Sequence, residues 1–325
     1  MRFAFLLLPA MMAAEDLRIG VLGLFHPREA HIFAARMRVD GESISLGGAV
    51  IASVDGTRLL LRTGTRVHRA KTASFEELRT IEIPGRIKRS YSGAVEVHVQ
   101  NKELALTLVT EVERAVAISV SSEAPHAPPE AERAQAILAR SYYKASPRRH
   151  LGFDFCDSTH CQLFQNPPSA QALAAAAATQ GLILRFRGRP IDAMFFRNCG
   201  GATSSAAAVR LSSDAFPYAA VRCEACTREP VRWKVRLPLP DAAPLLNGER
   251  SEKLRLELSR RFGWRSIRSN SFQAHREGDT VWIEGAGEGH GVGVCQRGAA
   301  WMAEHGSPFA AILRHYLPDV EIGRF

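Results

Sequence analysis

The first hundred or so residues are patterned for strands. LRIGVLGL, SISLGGAVIASV, RLLLRTG, AVEVHVQ and LALTLVT are β-branched or apolar runs, with Gly, Asp and Asn between them. This predicts strands and turns from Leu17 to about Val109. After Pro128-Pro129 the period changes. In PPEAERAQAILARSYYKAS, glutamates fill the first turn and Ala134, Ile137, Leu138 and Tyr142 recur at helical spacing. The pattern predicts a helix from about Pro129 to Ala145, stopped by Pro147. SAQALAAAAATQG predicts a second helix with Ser169 as N-cap and Gly181 just beyond its end. LILRF, the turn RGRP and IDAMFF predict a hairpin. SEKLRLELSRRFG predicts a third helix, TVWIEGAG a strand, and GAAWMAEHG and PFAAILRHYL two short final helices. Helices and strands alternate without a βαβ rhythm. That indicates a mixed α+β fold, with a β-rich N-terminal region at 15–85 and an α+β region at 86–325.

The opening MRFAFLLLPAMMAAEDLRIG fits neither region. Arg2, a short apolar stretch and small residues before Glu15 read as a signal peptide over 1–14, cut after Ala14. Export, to the periplasm or to the cell wall and beyond, follows as an expectation. The apolar stretch is too short to span a bilayer. Export in turn makes disulfides the default for the six cysteines. The formal net charge of +9 favours a polyanionic partner. No helix-turn-helix, zinc-finger repeat or aromatic RNA-binding motif accompanies it, so an anionic wall polymer is favoured over nucleic acid.

One stretch, HLGFDFCDSTHCQLF, carries His150, Cys156, His160 and Cys161 on a loop after the predicted helix. Four such ligands complete a tetrahedral zinc site, which would be closed and therefore structural. A Cys156–Cys161 disulfide with incidental histidines is the rival. A second set, Cys199, Cys223, Cys226 and Cys295, offers either a Cys₄ metal site or two disulfides, and spacing does not decide between them.

Of the acidic residues in SVSSEAPHAPPEAERAQA, Glu123 follows the apolar run AVAISV and precedes Pro125. A carboxyl sheltered at the mouth of such a loop could donate a proton; capping or solvating a turn is the alternative. Glu130 suits the helix dipole. In GAGEGHGVGVCQRGAAWMA, glycines frame His290 in a tight turn that would present it, with Gln296, to a groove.

In this order, RSYSGAVEV, SSEAP, EAERAQAILARSYY, FDFCDSTHCQLF, ATQGLILRFRGRPIDAMFFRNCGGAT, PYAAVRCEAC and GHGVGVCQRGAAWMAEHGSPFAAILRHYLP resemble the SpoIID/LytB family, over roughly Arg79 to Pro318. The resemblance implies a lytic transglycosylase acting on peptidoglycan, with a preference for strands stripped of stem peptides. It implies Glu123 as the catalytic acid and structural Zn²⁺ on His150, Cys156, His160 and Cys161. Gln135, Arg140, His290 and Gln296 are the expected substrate-binding residues. The family name "amidase enhancer" implies the alternative, a non-catalytic wall-binding protein that stimulates an amidase. The chain departs from the family pattern at Ala124, commonly Met, and at Glu132-Arg133 of EAERAQA, commonly Leu-Lys. It also carries Cys199 and Cys295 where many members carry Ser. The last two changes occur together, which hints that these cysteines act with the Cys223/Cys226 pair.

Overall fold

The computed structural model describes residues 16–164, 167–212 and 216–325. The expected signal peptide lies outside the described residues. The chain is mixed α+β and divides into two compact units: 1–115 with 148–167, and 116–147 with 168–325.

The first unit holds two sheets. One orders its strands Phe155–Cys156, Asp16–Gly20, Glu103–Glu111, Ala94–Gln100, Thr72–Glu76, Arg36–Val39 and Glu42–Ser45; the other Ile87–Ser90, Thr80–Ile83, Glu29–Phe33, Val50–Asp55, Arg58–Thr63 and Arg66–Ala70. Alternate residues turn inward, as in Val95 and Val97 of one sheet and Leu59 and Leu61 of the other. Strands 94–100 and 103–111 lie against strands 58–63 and 50–55 across this core. The β-rich unit runs beyond residue 85. Strand 103–111 pairs with both 94–100 and 16–20, so the ladder carries the unit past residue 110. The segment 148–167 returns to the same unit because Phe155–Cys156 adds a parallel edge strand to Asp16–Gly20.

Eight helices are described: α1 Val112–Glu123, α2 Pro129–Ala145, α3 Ala170–Ala178, α4 Glu224–Arg228, α5 Leu239–Leu246, α6 Glu252–Phe262, α7 Gln296–Glu304 and α8 Phe309–Tyr316. Helix α2 starts and stops where Pro129 at its first turn and Pro147 after its end dictate. Ser169 caps α3 by accepting from Ala172 N at 3.0 Å, and Ser251 caps α6 by accepting from Leu254 N at 3.3 Å. The second unit has two cores. One packs α2, α4, α7 and α8 around residues such as Ile137, Cys226, Val294 and Ile312. The other, around Trp233, Leu245, Leu258 and Ile283, lies under the antiparallel sheet Arg232–Pro238, Thr280–Ala286 and Phe272–Glu277.

Helix α1 is absent from the sequence reading. Ala115, Val116, Ala117, Ser119 and Val120 are each 0 % exposed, so the helix is buried nearly all round and its sequence shows little amphipathic period. Three arginines between 250 and 268 brace the second unit internally. Arg250 donates to Leu245 O and Phe272 O, Arg255 pairs with Glu252, and Arg268 pairs with Glu288.

Candidate functional sites: a glutamate at a helix end and two cysteine clusters

Glu123 is the last residue of α1 and is half-buried. Its helix end is fixed from several sides. Ser119 Oγ lies 2.6 Å from Tyr143 Oη of α2, a buried pair that pins α1 to α2. Ser121 Oγ accepts from Ser169 N at 2.8 Å, the residue that caps α3. Ala124 N still bonds to Val120 O, after which Pro125 and the left-handed His126 turn the chain toward α2.

The Glu123 backbone also has a distant partner. Gln296, the first residue of α7, donates from Nε2 to Glu123 O at 3.1 Å and to Gln135 Oε1 at 3.4 Å. Gln135 is 3 % exposed on α2, and its Nε2 is buried without a partner. Glu123, Gln135 and Gln296, read from three separate stretches of sequence, therefore meet.

The other two expected substrate-binding residues, Arg140 and His290, make their described hydrogen bonds elsewhere. Arg140 is 0 % exposed and donates to Leu182 O at 2.9 Å and Ala176 O at 3.2 Å. Its task is to satisfy carbonyls at the end of α3 and on the strand Leu182–Phe186, since a buried guanidinium must spend its donors inside the protein. His290 accepts from Val292 N at Nδ1, 3.1 Å, while Nε2 lies 3.0 Å from Phe195 O and donates to it. Both ring nitrogens are thus committed to backbone, and burial lowers the pKa of the ring, favouring the neutral form. The glycines around it serve close packing: a Cβ on Gly289 would meet Phe196 Cβ at 2.9 Å, and one on Gly287 would meet Asn198 O at 2.6 Å.

Glu132 carries a signal that sequence reading passed over. It is 2 % exposed in the first turn of α2 with Oε2 unpartnered, and burial pushes its pKa up to about 7 against a hydrogen bond from Gln171. The clue available in sequence was a glutamate flanked by the inward-facing Ala131 and Ala134. Glu130 is paired with Arg133 and accepts from Phe309 N at 2.8 Å, tying α2 to the start of α8.

In the first unit, His150, Cys156, His160 and Cys161 bring one ligand atom each within 4.8 Å of all the others. His150 Nε2 lies 3.2 Å from Cys161 Sγ, and His160 Nδ1 lies 3.7 Å from Cys156 Sγ and 3.6 Å from Cys161 Sγ. In a zinc tetrahedron with bonds of about 2.0–2.3 Å, neighbouring ligand atoms stand about 3.3–3.8 Å apart. The donor set and these spacings fit such an ion. The Cys161 thiol, with help from Ser158 and His160, draws the Cys156 thiol down to about 3 although burial opposes it.

The loop is anchored by its aspartates. Asp154 Oδ2 accepts from Arg18 N at 2.9 Å, and Asp157 Oδ2 accepts from Leu22 N at 2.9 Å and Arg89 Nη1 at 3.0 Å. Phe153 stacks on His150 with centroids 4.6 Å apart and lies over Gly20, where a Cβ would come 2.7 Å from its ring.

In the second unit, Cys199, Cys223, Cys226 and Cys295 also converge, their sulfurs all within 4.8 Å of one another. All six cysteines of the chain are unbridged.

Two depressions of about 400 Å³ each lie elsewhere, one near Arg79 and Lys88 and one near Ala206 and Tyr218.

Residues 100–186 match the SpoIID family model, described as stage II sporulation protein. That span holds Glu123, Gln135 and the whole His/Cys loop. This segment of the chain is similar to the SpoIID family. Among curated relatives it is 28 % identical to stage II sporulation protein D of Bacillus amyloliquefaciens over 250 residues, covering 62 % of this chain and 71 % of that protein. It is 28 % identical to stage II sporulation protein D of Bacillus subtilis over 170 residues, covering 46 % of this chain and 50 % of that one. An uncharacterized protein of Brachyspira hyodysenteriae is 26 % identical over 231 residues, 61 % of this chain and 62 % of its own. The chain thus spans half to about seven tenths of these relatives. Cys199, Cys223, Cys226, His290, Cys295 and Gln296 fall outside the segment matched by the SpoIID model.

Proposed function

We propose that this chain is an exported lytic transglycosylase that cleaves the bond between N-acetylmuramic acid and N-acetylglucosamine in peptidoglycan, with strands stripped of stem peptides as its preferred substrate. The observation that carries the reading is the meeting of Glu123 with Gln135 and Gln296. Gln296 holds the carbonyl of the glutamate at the end of α1, and that end is further pinned through Ser119 and Ser121. A general acid must be held in place to be effective, and these contacts support that reading of the helix end.

The chemistry needs one carboxyl. Ordinary glycosidases divide the work between two carboxylates. Here the Glu123 carboxyl gives its proton to the glycosidic oxygen as the C1–O bond breaks. The resulting carboxylate takes the proton from the C6 hydroxyl of the same muramic sugar as that oxygen bonds to C1. The product is a 1,6-anhydro end, and the glutamate finishes as it began. Because the nucleophile is part of the substrate, no water has to be positioned, an advantage on the order of several kcal/mol.

His150, Cys156, His160 and Cys161 would hold Zn²⁺. With four protein ligands the ion has no open position, so its contribution is to brace the loop on the sheet edge.

The test is mass spectrometry of denuded glycan incubated with the wild type and with Glu123→Gln. Anhydro-muramic ends from the wild type and none from a folded Glu123→Gln are expected. If Glu123→Gln releases the same ends, the assignment fails. If neither protein releases them but both bind glycan and stimulate an amidase, the chain is an enhancer instead.

A further inference from the structure

The described residues between Asn198 and Val221 of the second unit have little regular structure. Among them only the 3₁₀ turn Ala207–Val209 and isolated bridges are present. Such a segment cannot hold itself in place by ladder hydrogen bonds alone. At both of its ends, and again at the start of α7, the chain places a buried cysteine. Cys199, Cys223, Cys226 and Cys295 are 3 %, 1 %, 0 % and 0 % exposed.

We propose that Cys199, Cys223, Cys226 and Cys295 form a closed tetrathiolate zinc site that ties the Asn198–Val221 segment and α4 to the start of α7.

Three observations support it. First, the four sulfurs gather in one cluster instead of two separate pairs. Cys226 Sγ and Cys295 Sγ lie 3.6 Å apart, close to the edge of about 3.8 Å expected for four sulfurs at about 2.3 Å from a common ion. A disulfide would need about 2.0 Å. Second, the supporting groups suit a thiolate. Tyr316 Oη donates to Cys223 Sγ at 3.3 Å from the last turn of α8, the kind of outer bond that fixes a ligating sulfur. Third, α7 is shaped to reach the cluster. Gly298 faces Tyr316 Oη and Cys223 Sγ so closely that a Cβ there would overlap the hydroxyl and come 2.6 Å from the sulfur. The spacing is that of a structural site: a Cys-x₂-Cys pair at the start of one short helix, Cys223 as its N-cap and Cys226 within it, with two single cysteines from distant segments.

On binding, the cysteines give up their thiol protons to solvent and the ion takes four S⁻ ligands. No electron transfer is involved. Cys295 is the N-cap of α7 and adjoins Gln296, so the same ion fixes the residue that reaches Glu123 O.

The test uses the full chain, purified without added metal or reductant. Native mass spectrometry counts zinc, and X-ray absorption at the zinc edge reads the shell. Two zinc ions per chain, with on average three sulfurs and one nitrogen around each, are expected. The double variant Cys156→Ser/Cys161→Ser removes the loop ligands and should keep one zinc in an all-sulfur shell near 2.3 Å. A single zinc with two sulfurs and two nitrogens overturns the proposal, whether the other four cysteines are thiols or bridges; two bridges would leave the chain four hydrogens lighter. A single zinc with four sulfurs supports it and sinks the loop site instead. The wild-type count and shell decide the matter even if the double variant does not fold.

Discussion

Replacing Glu132 by Gln should stabilise this protein, and increasingly so as pH rises. Glu132 is 2 % exposed in the first turn of α2, with one carboxylate oxygen unpartnered. The helix N-terminus favours a negative charge there by up to about 1 kcal/mol. Burial works the other way and wins, raising the carboxyl from 4.5 to about 7. The native protein therefore keeps a proton that the unfolded chain has already lost between those two values. Stability falls as pH climbs through that window and levels off above it. At about 1.4 kcal/mol per tenfold change, the full cost is at most about 3 kcal/mol; partial hydration of the site brings the expected figure to about 2 kcal/mol. Gln has the same shape and no charge to bury. Urea unfolding of the wild type and Glu132→Gln at pH 4.5, 6 and 8 is the assay. The two should lie close at pH 4.5, and the variant should lead by about 2 kcal/mol at pH 8. A gap that does not change with pH would refute the argument, because then the carboxyl is not carrying a buried charge at neutral pH.

Two further changes probe the candidate sites. Gly20→Ala drives a methyl group into the Phe153 ring that stacks on His150; a loss of about 1–3 kcal/mol is expected from the overlap, together with faster release of loop-bound metal to a chelator. Gln296→Ala removes the donor to Glu123 O and Gln135 Oε1. It should cost about 1–2 kcal/mol of stability and lower kcat of the proposed cleavage about tenfold or more, while glycan binding, read by pull-down, stays near wild type.

How far the sequence could be read depended on whether a signal was local. The bounds of α2 were written in Pro129 and Pro147, and the cap of α3 in Ser169, because a cap or a break acts within one turn of itself. His150, Cys156, His160 and Cys161 share one loop, so their grouping was visible too. Helix α1 was hidden because burial on all sides erased its period. Glu123 was placed beside a loop when it closes a helix. No sequence can say that Arg140 and His290 would hydrogen-bond to Leu182, Ala176 and Phe195 carbonyls.

Sequence alone therefore determined the strands and the later helices, and which side chains could do chemistry. Tertiary structure alone decided which of them meet. Gln296 reaches Glu123 across 173 positions, and Cys226 finds Cys295 across 69. Such approaches follow from how sheets and helices pack into a common core. That is a property of the whole chain's buried surface, and no local window of residues contains it.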